Sequence, residues 1–553
     1  MVHRTGWVAG ATVLLTLLGC RDRPGPPGAV EVPRFDATAS SARGMVVTGS
    51  PYATEAGIRI LEAGGNAVDA AVAAAFALAV AEPTQSGLGG RTQLLVFMAD
   101  GTVHGIDGTT QVPAGYDPAS APQGEHGHGA VGIPGTVAAL ARALDEHGSL
   151  SLATVLAPAL SWARDGIALP AGEAERIAAV ASELDPASEL GRILLGPEGA
   201  PPPAGALLLQ PDLAGVLQSL AAEGPDVFYR GEIALRMADD MAAHGGFVTV
   251  QDLADFRAVD AEVGHGRFAG RDVWGSYLPA SGVTIIEILQ VLDRIPLEGA
   301  DEARWAAAVV ESLLAGFEDR ELAEAMEPAS AVAWLTSDTL ADRRASVIAR
   351  TLRQMAMAGL DPGESVPALA MDDGREPAFT THVSVADTFG NVVALTQSLG
   401  PTLGARVVTP GLGFVYASTL GGYLTGGGPG YRPWSSQAPV VLTVQGRPEL
   451  VIGGAGARRI LSALITTLSR TLQSGDDLEV ALAARRLHAT GGQVELQEGW
   501  AVGGELTAFG YEVRERETSY FARLNAVAVL PDGTFRGVGE PRWTESAAGG
   551  PRR

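Results

Sequence analysis

The sequence predicts an α+β chain in which sheet layers are covered by helices. Three observations carry that expectation. Thr380–Val385 and Val392–Ser398 read as strands and flank the turn Asp387-Thr388-Phe389-Gly390-Asn391, as in an antiparallel pair. Asn66–Ala81 is an Ala/Val-rich run with apolar residues on every side, the mark of a buried helix. Long helical stretches lie at 133–260 and 283–355, before the strand-rich part, and Arg458–Leu472 supplies another after it.

The elements follow in order. Residues 1–20 run from a short basic start (His3, Arg4) through an apolar stretch to Leu17-Leu18-Gly19-Cys20. That is too short to span a bilayer and fits a signal-peptide core. A small residue ahead of the only Cys resembles a bacterial lipoprotein cleavage box, in which the Cys is lipidated and becomes residue one. An ordinary secretory signal with a chance Cys is the other reading. Residues 21–43 begin with a Pro/Gly tether that cannot pack a core. Folding is expected to begin near Gly44-Met45-Val46-Val47. A helix starts at Pro51–Glu55 and ends at Gly64-Gly65, a C-cap pair. Leu94–Phe97 and Thr102–Ile106 pair around Ala99-Asp100-Gly101. The helical stretch 133–260 is broken by a Pro/Gly loop at Gly196–Gly205, and Arg271–Tyr277 returns to strand. Gly359–Pro377 is polar and lacks periodicity, so it reads as a mobile loop. Val440–Val444 and Leu450–Ile452 form a hairpin around Gln445-Gly446-Arg447. Val513–Arg516 and Ala526–Leu530 are late strands. No internal repeat is visible.

Composition removes several function classes. A chain of 553 residues holds about three to four domain-sized units or one large α/β body. With 46% hydrophobic and 18% charged residues, a large buried core is feasible. The 71 Gly and 34 Pro show no three-residue period, which excludes a collagen-like rod. A net charge of −24 argues against nucleic acid or an anionic membrane surface as partner. Membrane contact is expected only through the lipid anchor, outside the cytoplasm. All 39 basic Lys-or-Arg positions are Arg. Schiff-base lysines, a P-loop lysine and a Ser–Lys dyad are therefore ruled out. A single Cys, Cys20, excludes internal disulfides, Cys-ligated zinc and iron–sulfur clusters.

Motifs for cofactors are weak. His126 and His128 lie in the flexible setting Gly-Glu-His-Gly-His-Gly, and a metal there would need further ligands. Gly127–Gly132 has bare G-x-G-x-x-G spacing, but it follows a polar loop and not a strand. Gly87-Leu88-Gly89-Gly90 lacks the phosphate-loop pattern. Neither G-x-S-x-G nor H-E-x-x-H occurs. No cofactor and no metal are expected.

The informative segment is Phe379-Thr380-Thr381-His382-Val383-Ser384-Val385-Ala386-Asp387, directly after the loop. A Thr at a strand start is most often only a strand former, but its context is more specific. Gly64–Ala71, Glu82–Gly90, Gly132–Val137, Gly224–Gly231, Gly245–Leu253, Arg432–Ser436 and Gly453–Ile460 follow in order. Together these segments resemble the gamma-glutamyltranspeptidase family of N-terminal nucleophile hydrolases over most of the chain.

The resemblance implies a four-layer αββα sandwich, with two stacked sheets between helical layers. It implies an inactive precursor that cuts itself between Phe379 and Thr380. The large-subunit region is then 44–379 and the small-subunit region 380–553, both chains building one body. A Thr hydroxyl needs a base, and a new N-terminal amine titrating near pH 8 supplies one. Ser398 matches a family Thr that hydrogen-bonds the nucleophile. Gly456 and Ala457 match the Gly pair of the oxyanion hole; Ala457 keeps its N–H provided φ need not be positive there. Ser435 and Ser436 match serines near the substrate carboxylate, with turn polarity after Pro433 as the plainer alternative. Thr381 matches the Thr after the nucleophile.

The pattern breaks at the glutamyl clamp. Where the family grips the α-carboxylate with an Arg, this chain has Thr109. Gly422 stands where an Asp grips the α-amine, and Gly400 replaces an Asn or Ser serving the same amine. The glycine cluster after Leu88 is interrupted by Arg91-Thr92-Gln93, which makes Arg91 a candidate for the missing cation. Two readings stay open. One is an active hydrolase or acyltransferase whose small amide or gamma-glutamyl-like substrate lacks the free zwitterion. The other is a lapsed, lipid-anchored paralogue that binds a partner without turnover.

Overall fold

The computed structural model describes residues 31–121, 124–277, 279–358, 379–424 and 426–552. The expected signal segment, much of the tether and the expected loop 359–377 lie outside them. Thirteen strands form the main ladder among the described residues. They are β1 Thr38–Ser41, β2 Met45–Thr48, β3 Arg91–Phe97, β4 Val103–Gly108, β5 Val259–Phe268, β6 Arg271–Tyr277, β7 Phe379–Ala386, β8 Val392–Gly400, β9 Val440–Val444, β10 Arg447–Ala455, β11 Arg523–Val529, β12 Phe535–Gly539 and β13 Ala547–Gly549. One sheet runs β13-β2-β7-β8-β3-β4 and the other β1-β12-β11-β10-β9-β6-β5. β5 belongs to both. Val259–Ala261 pair with β4, and Glu262–Phe268 pair with β6.

Three buried clusters make the layers. Met45, Val47, Leu95, Ala394, Val441, Val451 and Val527 pack between the sheets. The alternate residues Val46, Leu94, Val383 and Leu395 face the first helical layer, led by α1 Pro51–Glu62 and α2 Ala67–Ala81. Val273, Val440, Ile452 and Leu524 face the second. That layer holds α3 Gly282–Asp293, α4 Glu302–Ala323, α5 Asp338–Ala358 and α6 Arg459–Ser469. A period of two along each strand thus sends alternate side chains to two different cores. The architecture is the expected αββα sandwich.

α2 is buried at all 15 positions. Asn66 caps it by accepting from Val68 N and Asp69 N, and Asp69 returns a carboxylate to Asn66 N at 2.8 Å. Helix 67–81 was expected from sequence, but β5 was not, since residues to 260 read as helical. Glycines at 264 and 266 weaken any strand signal. A Cβ at Gly266 would sit 2.3 Å from Ile286 Cγ2 of α3, so close helix packing explains the residue.

Candidate active site

β7 and β8 form a hairpin in which Thr380 pairs with Ser398 and Phe379 with Gly400. Leu399 is therefore an extra residue, a bulge opposite the Phe379–Thr380 peptide bond. Gly400 supports it with φ +88°, a conformation glycine takes at no steric cost. Thr380 Oγ1 donates to Ser398 Oγ at 3.0 Å, and Gly400 N donates to the same oxygen at 2.9 Å. Both hydroxyl-bearing residues are largely buried. On its other side, Ser398 stands opposite Arg91 of β3. Arg91, Ser398 and Thr380 thus lie side by side across three strands.

The second sheet closes on this row. Arg523 Nη2 donates to Thr380 O at 3.1 Å and also to Gln85 Oε1. Arg523 stands opposite Ala455, the last residue of β10. It thereby ties Thr380 to the strand pair from which Gly456 and Ala457 emerge. Ala457 has φ 52°. The proviso attached to it is not met, and a left-handed alanine stores roughly 1–2 kcal/mol of strain. The turn leads directly into α6, with Arg459 N and Ile460 N bonding back to Gly456 O and Ala457 O.

The remaining candidates spread around the row. Thr381 points to the opposite face of β7 from Thr380. A Cβ on Gly49 would lie 3.1 Å from Thr381 Oγ1 and 3.3 Å from Glu82 Oε1. Ser435 is anchored through its backbone, with N donating to Pro279 O and O accepting from Ser281 Oγ at 2.7 Å. Its neighbour Ser436 is half-buried. Gln437 Nε2 donates to Thr396 O, tying this segment to β8 two residues before Ser398. Thr109 is wholly buried, its hydroxyl accepting from Gln93 Nε2 at 2.6 Å. Beside it Asp107 pairs with Arg432 at 2.6 Å.

Electrostatics separate the possible bases. His382 sits two residues from Thr380, but burial pushes it down to about 3, so it is neutral. Its ring nitrogens are engaged by Thr396 Oγ1 and Ser384 Oγ. Burial raises Glu82 to about 7, against the opposing pull of Arg176 and Arg523. Burial lowers Arg523 to about 10. Arg176 bridges Glu173 and Glu545 at 2.7 and 3.0 Å. Sequence reading missed Arg523, Glu82 and Tyr423, whose contacts come from distant segments. His128 meets Asp240 and His244 rather than His126, with ligand atoms within 4.8 Å of one another. The two imidazoles stack at 4.5 Å, and Asp240 also accepts from Thr409 Oγ1.

The family model for gamma-glutamyltranspeptidase matches residues 53–550. The chain belongs to the gamma-glutamyltranspeptidase family. Two similar relatives bear different names. The acylase ACY 1 proenzyme of Pseudomonas sp. (strain SE83) is 35% identical, over 90% of this chain and 92% of that protein. The glutathione hydrolase proenzyme of Escherichia coli (strain K12) is 31% identical, over 92% of each. The solved cephalosporin acylase from Bacillus halodurans superposes with a TM-score of 0.81 at 25% identity, covering 95% of this chain and 99% of that one. The chain shares the N-terminal nucleophile hydrolase fold of these proteins, two of which are named as proenzymes.

Proposed function

We propose that this family member cuts itself between Phe379 and Thr380 and then works as an acylase with Thr380 as nucleophile. The observation that carries the reading is the Thr380 Oγ1–Ser398 Oγ hydrogen bond of 3.0 Å, opposite a bulge at the bond to be cut. In self-cleavage the Thr380 oxygen attacks the Phe379 carbonyl carbon. The C–N bond breaks, the nitrogen takes a proton, and an ester links the two parts. Water hydrolyses that ester and leaves a free α-amine on Thr380.

In turnover the amine accepts the Thr380 hydroxyl proton as the oxygen attacks the substrate carbonyl. Amides of Gly456 and Ala457 stabilise the developing oxyanion. Ser398 orients the hydroxyl, and Ser435, Ser436 and Thr109 shape the acyl pocket, while Thr381, on the opposite face of β7, supports the strand from behind. The substrate's amine departs with a proton, and water, or an acceptor amine, resolves the acyl-enzyme. His382 is excluded as base by its burial and its occupied nitrogens. The acylase name of two relatives, and the missing glutamyl clamp, favour an amide without the free glutamyl zwitterion. Residues 1–20 direct export, with lipid on Cys20.

Intact-mass analysis with N-terminal sequencing tests this on the wild type beside Thr380→Ala. Wild type is expected as two polypeptides, one starting at Thr380, and the variant as one. A heavy chain that begins at acylated Cys20 supports the anchor; one retaining residues 1–19 overturns it. Wild type that stays uncut after long incubation removes the enzymatic reading and leaves the binding-protein alternative.

A further inference from the structure

The row beside the nucleophile contains a cation that the reaction as proposed does not use. Directly opposite residues on neighbouring strands share a face, so Arg91 stands on the face of Ser398 and Thr380. It is 2% exposed. Its Nη2 donates to Ser418 O at 3.3 Å and to the Tyr423 hydroxyl, and the guanidinium lies 4.8 Å from the Tyr423 ring centroid. Nε has no hydrogen-bond partner. Among the described residues, Arg91 forms no ion pair with a carboxylate. Arg432, by contrast, has Asp107. A buried charge without a counter-charge is costly unless a ligand supplies one.

The space around Arg91 is coupled to it. A Cβ at Gly400 would stand 2.7 Å from Arg91 Nη2, so a side chain there would push this guanidinium aside. Gly400 also donates its N–H to Ser398 Oγ, which puts this contact next to the nucleophile pair. Gly422 precedes Tyr423, the residue that holds Arg91. By resemblance, positions 400 and 422 carry the amine-binding side chains. Here both are glycine, and the Arg91 guanidinium lies against Gly400 and is held by Tyr423, the residue after Gly422. By that resemblance an acidic side chain is lost at 422, while Arg91 supplies a cation beside Gly400.

We propose that Arg91 sets acyl specificity by charge inversion. It repels an α-ammonium beside the scissile acyl group and pairs with a carboxylate on that group. This deepens the acylase reading and rests on it. The chemical class implied is the amide of a dicarboxylic acid with no amine on the acyl part.

The test compares three p-nitroanilides that differ only in charge: glutaryl, pentanoyl and γ-glutamyl. Wild type is expected to prefer them in that order by kcat/KM. In Arg91→Gln the glutaryl-to-pentanoyl ratio falls by about tenfold or more. Arg91→Lys, which keeps the charge and loses the fork, retains the order with a smaller ratio. A wild type that prefers γ-glutamyl, or a ratio unchanged in Arg91→Gln, overturns the proposal. Glutarate binding, read as a thermal shift on full-length protein, separates this from the acylase reading. If no anilide turns over, a glutarate shift in wild type that vanishes in Arg91→Gln still supports the anion site. No shift in wild type overturns it. If Arg91→Gln does not fold, Arg91→Lys and the wild-type shift decide.

Discussion

Glu82 shows what one residue costs in this fold. Its carboxyl group is fully buried, and neither oxygen has a hydrogen-bond partner. Burial outweighs the attraction of Arg176 and Arg523, and Glu545 and Glu173 add repulsion, so the group rises from 4.5 to about 7. The folded state therefore holds this proton more tightly than the unfolded chain does. Its contribution to stability is fully present below pH 4.5 and is lost as pH rises through about 7. At one pKa unit per 1.36 kcal/mol, the ionised carboxylate costs roughly 3 kcal/mol. Glu82→Gln cannot ionise. Urea denaturation at pH 5 and pH 8 is expected to show wild type losing stability relative to Glu82→Gln by that amount. An equal difference at both pH values sinks the argument. At this scale the sequence is only partly legible. Thr380 and Ser398 are read from their setting in a family pattern. Arg523 and Glu82 carry no local signal, because a strand 143 residues and a helix end 298 residues from Thr380 bring their groups in.

Single elements are held by shared carboxylates. Asp387 closes the β7–β8 turn, with Oδ1 accepting from Phe389 N, Gly390 N and Asn391 N at 2.8–3.0 Å. Its Oδ2 accepts from Ala67 N, the first residue of α2, at 2.8 Å. A negative group at a helix N-terminus also meets the positive end of the helix dipole. Asp387→Ala leaves these buried donors unmet, at a cost of about 3 kcal/mol or more. A denaturant midpoint within experimental error of wild type would show that α2 and the hairpin do not depend on each other. The sequence exposes both elements, α2 through its apolar run and the hairpin through its turn residues. It does not expose their link, which joins positions far apart in the chain. β5 is hidden for a different reason: its glycines serve the approach of α3, and that contact exists only in the folded molecule.

The whole molecule determines what self-cleavage can do. Strands β1 to β6 precede Thr380, and β7 to β13 contain or follow it. In one sheet β2 lies between β13 and β7, while β8 abuts β3. In the other, β12 to β9 lie between β1 and β6. Each part of the precursor thus supplies strands that the other flanks, and the inter-sheet core mixes Met45 and Leu95 with Val441 and Val527. Cutting one bond at the start of β7 breaks no ladder between the parts. Separating them would expose an apolar core and several open sheet edges at once. The two polypeptides are therefore expected to co-elute on size-exclusion chromatography in native buffer. They should unfold in one transition and part only in denaturant. Native-state separation after cleavage would mean that the sheets are not interleaved as described. A second, earlier unfolding transition would mean that one part holds a core of its own, against the shared clusters that define this sandwich.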